Sequence, residues 1–248
     1  MGDSPPTVQF LVTCLLDTLF PKVAQSTIDV LEKQGVTVKV KAGQTCCGQP
    51  AFNGGYWDEA RQMARHMLDV FGDGEEPVLI ASGSCGAMIE HYYPLLFQDD
   101  PEYGPVAKRL AGRMVEFSQY LVDVLGVEDV GAAYDARVVL HPSCHGLREL
   151  HIKEQPRRLL ENVKGLTLLE QERPETCCGF GGVFSIKMSA ISEAMMNDRI
   201  RVFEAVEPDL IVGGDVSCLM HLEGGLRKQG SPIRTMHIAE LLAEGMKA

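Results

Sequence analysis

Short apolar runs along this chain stop, one after another, a few residues ahead of a cysteine. Residues 8–13 (VQFLVT) are β-branched and apolar up to Cys14, and 23–34 then places apolar residues at helical spacing until Gly35. Val36, Val38 and Val40 alternate with polar residues as a second strand that leads towards Cys46 and Cys47. An amphipathic helix over 57–71 ends at Gly72, and the buried-type strand 78–81 (VLIA) runs into Cys85. The order then repeats. Strand 137–141 precedes Cys144, 155–164 is helical, strand 166–170 precedes Cys177 and Cys178, a long helix covers 187–206, and strand 210–213 precedes Cys218. The segments 114–125 and 236–246 read as closing helices of matching character. This pattern predicts an α/β fold of two pseudo-repeated βαβ-type lobes, each with a small, mainly parallel sheet. The lobes are expected at 1–125 and 136–248, joined around Gly126 to Asp135.

The chain has eight cysteines, and the repeat divides them without remainder into Cys14, Cys46, Cys47, Cys85 and Cys144, Cys177, Cys178, Cys218. Each adjacent pair is followed by glycine, in Thr45-Cys46-Cys47-Gly48 and Thr176-Cys177-Cys178-Gly179. Four thiols from three stretches of chain are what a tetrahedral metal site or an iron-sulfur cluster requires. Every cysteine follows the carboxyl end of a strand, where open α/β sheets carry their ligands, so the stretches of each half can converge at one sheet edge. Disulfides are the bland alternative. The start MGDSPPTVQF offers neither a basic leader nor an apolar export segment, so a reducing, cytoplasmic setting is expected. Glycines 48, 83, 86, 179, 181 and 182 let the backbone approach a bulky group and offer N–H groups to sulfur.

Composition narrows the partners. A formal charge of −11 and a hydrophobic content of 45% describe an acidic globular chain, which argues against nucleic acid as a partner. No apolar run approaches the length of a bilayer span, so no direct membrane insertion is expected. Gly179-Phe180-Gly181-Gly182 lacks the spacing and acidic partner of a dinucleotide fingerprint.

The repeated Cys, Cys-Cys-Gly, Cys arrangement resembles the cysteine-rich CCG domain, shared by the B subunit of heterodisulfide reductases and the glycolate oxidase iron-sulfur subunit. Many members carry further, closely spaced cysteine quartets. This chain has none and is most similar to the stand-alone lactate utilisation protein A family. His141-Pro142-Ser143-Cys144-His145-Gly146-Leu147-Arg148 is similar to the His-x-x-Cys-His-x-x-x-Arg signature of that family's second repeat. The fullest family motif ends in Cys-x-x-Cys, but here Met88 follows Cys85 and His221 follows Cys218. Five thiolates per centre are therefore excluded. Met88 reads as packing, and His221 as a further candidate ligand beside the eight cysteines.

The resemblance implies an electron-transfer subunit with cysteine-bound iron-sulfur clusters, of 4Fe-4S type, in a system oxidising L-lactate to pyruvate. Its partners would be other lactate utilisation subunits, including a ferredoxin-type iron-sulfur protein. His141, His145 and Arg148 are the candidate catalytic residues around Cys144. His66, His91 and His151 read as surface residues. Three rival readings stand beside this one: the iron-sulfur subunit of a glycolate or D-lactate dehydrogenase, a zinc-stabilised structural module, and a cluster-free thiol reductase.

Overall fold

The structure is a computed structural model and describes residues 5–247. The first lobe runs β1 (Thr7–Leu11), α1 (Cys14–Thr18), α2 (Pro21–Lys33), β2 (Thr37–Val40), α3 (Gln49–Asn53), α4 (Trp57–Phe71), β3 (Val78–Ile80) and α5 (Gly83–Ala87). A π-helical turn at Met88–Tyr92 leads to α6 (Tyr93–Leu96), α7 (Tyr103–Ala111), β4 (Met114–Glu116) and α8 (Phe117–Gln119), with a second π turn at Tyr120–Val124. The second lobe runs β5 (Ala133–His141), α9 (Cys144–Arg148), α10 (Glu154–Glu161), β6 (Lys164–Leu169), α11 (Val183–Lys187), α12 (Ser189–Glu204), β7 (Leu210–Gly213), α13 (Val216–Gln229), β8 (Arg234–His237) and α14 (Ile238–Gly245).

The repeat is one of topology. Both sheets are four-stranded, ordered β2-β1-β3-β4 and β6-β5-β7-β8, and every pairing is parallel. Leu11 is level with Ile80 across the first sheet, as His141 is with Gly213 across the second. Strand order reverses direction between β1 and β3, and again between β5 and β7. The crevice beyond the carboxyl ends of such strands is where open sheets bind ligands.

Period-two alternation explains how the sheets stack. Val8 and Phe10 of β1, Leu79 of β3, Val138 and Leu140 of β5, and Leu210 and Val212 of β7 all belong to one buried cluster between the sheets. Their neighbours point the other way. Leu11, Val78 and Ile80 pack under α4 with Ala60, Ala64, Met67, Leu68 and Phe71, whose spacing marks one helical face. Val139 and Ile211 pack under α12 and α13 with Met196, Ile200, Phe203, Leu222 and Leu226. The central layer is closed by α2 and α14, through Val30 and Leu31 on one side and Leu241 and Leu242 on the other. The two lobes thus share a core, and each keeps an outer layer of its own.

Three sequence expectations change in detail, and one element is added. The closing segments 114–125 and 236–246 are not helical throughout: each begins as an edge strand, β4 or β8, before turning into helix. Three or four residues that pair on one side only leave too little alternation to read. The long helix expected at 187–206 is two, α11 and α12, which meet at Met188. The segment 216–229, for which the pattern gave no element, is α13. Asp215 caps its start and Gly230 ends it in the left-handed region, at φ 71°.

Candidate metal centre

All eight cysteines open onto one cavity of about 320 Å³ at the carboxyl ends of the two sheets. Cys14 and Cys144 begin α1 and α9 directly after the central strands, with Thr13 and Ser143 at the capping positions. Cys85 lies in α5, where Ser82 is the cap, and Cys218 in α13, where Asp215 is. The Cys-Cys pairs arrive on loops held by their glycines. Gly179 has φ +87° and sits so close to α12 that a Cβ there would stand 2.6 Å from the Ser192 carbonyl oxygen, so no other residue fits.

Within each lobe the sulfurs are neighbours. Cys47 and Cys85 Sγ are 3.4 Å apart, and Cys144 and Cys177 Sγ are 4.0 Å apart. Hydrogen bonding from Cys14 and then Cys47 pulls Cys46 down to about 3, and from Cys144 and then Cys178 pulls Cys177 down to about 2. Cys14 and Cys47, and likewise Cys144 and Cys178, are pushed up, chiefly because they donate to those thiolates. The backbone N–H of Gly179 also donates to Cys177 Sγ at 3.4 Å. Like charges in contact disfavour ionisation of several thiols together. A bound cation lets all four ionise. The donor sets therefore fit a thiolate-bound metal or iron-sulfur centre in each lobe.

The second quartet has a buried cation beside it. Arg199 on α12 is fully buried. Its guanidinium lies 4.2 Å from the Phe203 ring and donates to the carbonyls of Arg173 and Pro174 and to Gln171. Burial pulls it down to about 10 and the Cys178 charge opposes that. Gly48 packs against Ala60 of α4 as Gly179 packs against Ser192 of α12, and seven residues further along stand Met67 and Arg199. A buried cation thus stands near Cys178, where the matching place in the first lobe holds Met67, whose sulfur accepts the Thr45 N–H at 3.3 Å. The sequence signal for Arg199 was its place among Met196, Ile200 and Phe203, at the spacing of a buried face.

His141 ends β5 on the same face as Val139, which is the face packed against Cys178 and Cys218. Burial pushes its imidazole down to about 3, with the Arg199 charge adding to the effect. His145 lines the cavity with Nδ1 3.0 Å from Glu149 Oε1. Arg148 points outward and donates to the Glu175 carbonyl at 2.8 Å, so it does not reach the cavity. His221 Nε2 lies 3.3 Å from Ser192 Oγ with its ring against Phe180. Met88 is buried in the first lobe's outer core. His66, His91 and His151 are exposed.

Asp215 was not singled out by the sequence pattern. It is buried where the lobes meet, and its carboxylate accepts from Ser217 of its own helix and from Ser82 and Ser84 of the other lobe. Glu116 is buried close by. Burial pushes it up to about 7, Asp215 adds to this, and donors from Ser118 and Gln119 oppose it.

Comparison with known proteins bears on this geometry directly. The cysteine-rich domain family matches residues 8–90 and 138–223, one match for each quartet. Lactate utilization protein A of an Exiguobacterium species is 46% identical over 243 residues, covering 98% of this chain and 99% of that protein. The chain belongs to the lactate utilization protein A family. The Geobacillus kaustophilus member is 47% identical over 95% of this chain and 98% of its own length. Lactate utilization protein A 2 of Bacillus cereus is 42% identical over 96% and 98%. Among solved structures, a glutamate racemase from Bacillus anthracis overlays with a TM-score of 0.38 at 12% identity, too slight a likeness to inform the site. No helix among the described residues is long and apolar enough to cross a membrane.

Proposed function

We propose that this chain is an iron-sulfur electron-transfer subunit of an L-lactate oxidation system. The observation that carries the proposal is the pair of contacting thiol quartets on one cavity, in a member of the lactate utilization protein A family. Oxidation of lactate to pyruvate releases two electrons and two protons. Iron-sulfur centres held by Cys14, Cys46, Cys47, Cys85 and by Cys144, Cys177, Cys178, Cys218 would supply one-electron redox chemistry. The residues around them do the rest. Gly179 directs its N–H at sulfur, Arg199 offsets the thiolate charge behind Cys178, and Asp215 fixes the helices that bring in Cys85 and Cys218. Electrons would pass to other lactate utilisation subunits, among them a protein with ferredoxin-type clusters.

Protein purified without oxygen should be coloured, contain iron and sulfide, and give paramagnetic resonance signals on reduction. A colourless protein with stoichiometric zinc would replace this reading with the structural one. Deletion of the gene should abolish growth on L-lactate, and variants lacking one cysteine of either quartet should fail to restore it. Loss of growth on glycolate or D-lactate alone would move the chain to a different 2-hydroxy acid.

A further inference from the structure

We propose that His141 is a protein ligand of the second quartet's centre, and that the first centre has no counterpart to it. The proposal rests on the reading that the quartets bind metal. A ring nitrogen of His141 and the sulfurs of Cys178 and Cys218 lie within 4.8 Å of one another. His141 is 1% exposed, and neither of its ring nitrogens has a hydrogen-bond partner among the described residues. An imidazole buried without partners forfeits about 1–3 kcal/mol for each unmet group, so an unpaired ring here calls for a ligand.

The ring's surroundings agree with such a role. On the thiol side, the alternation of β5 turns the ring towards Cys178 and Cys218, and Phe203 holds it edge-on at 5.8 Å between centroids. A second, smaller cavity of about 30 Å³ is lined by residues that include His141, Glu116 and Ser118. That is room for a water molecule with polar partners. Metal-bound histidines characteristically donate their second ring N–H to a carboxylate, a carbonyl or a water. In the first lobe the equivalent strand position is Leu11, packed in the same way near Cys47 and Cys85. The family's missing fifth thiol is thus answered by nitrogen in one centre only, from the end of the strand rather than from His221.

The test is spin-echo spectroscopy on reduced, iron-loaded protein carrying ¹⁵N-histidine, read in the wild type and in His141→Leu, which installs the first lobe's residue. The expected result is a strong coupling to a directly bound nitrogen that responds to the label, is lost in His141→Leu, and persists in His221→Ala and Cys47→Ser. Two results would overturn the assignment: iron in both centres with no bound nitrogen, or a coupling that survives His141→Leu and disappears in His221→Ala. The labelled wild type answers the question even if His141→Leu folds poorly. If the bound metal is zinc, the functional reading fails separately, and imidazole scattering at the zinc absorption edge, present or absent, still decides the ligand. Protein that binds no metal overturns both.

Discussion

Asp215 accepts the backbone N–H of Ser84 at 2.9 Å, across the seam between the lobes. The same side chain takes the Ser217 N–H at 3.0 Å at the start of its own helix. One carboxylate therefore accepts a first-turn N–H from the helix carrying Cys85, which Ser82 caps, and itself caps the helix carrying Cys218. Loss of a cap and of buried acceptors costs roughly 2 kcal/mol. Asp215→Ala should lower the thermal midpoint and reduce metal in both lobes together, measured by elemental analysis after anaerobic loading. Depletion confined to one lobe would mean that the cross-lobe bonds do not organise the first site.

Single thiol substitutions should behave in the opposite way. The sulfur neighbours of Cys47 are Cys46 and Cys85, and those of Cys178 are Cys177 and Cys218. Cys47→Ser should strip metal from its own quartet and leave the second largely filled, and Cys178→Ser the reverse. Complete loss of metal from either single variant would point to one centre shared across the cavity.

Arg199→Met gives the second lobe the residue that the first already has at that place. Metal content should hold, because no ligand is touched. With a buried positive charge removed, the second centre becomes harder to reduce, its potential falling by on the order of 100 mV. A potentiometric titration followed by paramagnetic resonance measures this, and an unchanged potential would show that solvent in the cavity screens the guanidinium.

Glu116 gives a pH signature. Its folded-state value is raised to about 7 from 4.5, mainly by burial. Between those values the folded protein holds a proton that the unfolded chain has lost. The contribution to stability is therefore complete at acid pH and disappears as pH rises through about 7, by roughly 3 kcal/mol at most. Glu116→Gln, which stays neutral throughout, should lose this dependence and gain on the wild type as pH rises from 5 to 8. Denaturant unfolding at several pH values measures the difference. Parallel curves for the two proteins would place the Glu116 carboxyl near its ordinary range.

Much of this site could be read from residue order alone, because it is built from strand ends. Apolar runs fix where β1, β3, β5 and β7 stop, and Cys14, Cys85, Cys144 and Cys218 follow those stops. What stayed hidden depends on which elements stack. Arg199 carries a charge on a long helix, and only the fold shows that it is buried against Phe203 near Cys178. Asp215 acts on Ser84, and nothing along the chain brings those positions together. His141 was legible as part of a motif around Cys144. Its approach to Cys178 and Cys218 follows only once β5 is known to share one sheet with β7.

The central layer between the sheets bears on how such a chain can arise. Val8, Phe10 and Leu79 from one half meet Val138, Leu140, Leu210 and Val212 from the other, so neither half alone would hide these side chains from water. A polypeptide with a single copy of the unit would meet the same need by pairing with its twin about a two-fold axis, with identical surroundings for both thiol sets. Fusion of the two copies removes that symmetry requirement. Once covalently joined, each copy is free to diverge, and the leucine at the end of one central strand answers to the histidine at the end of the other.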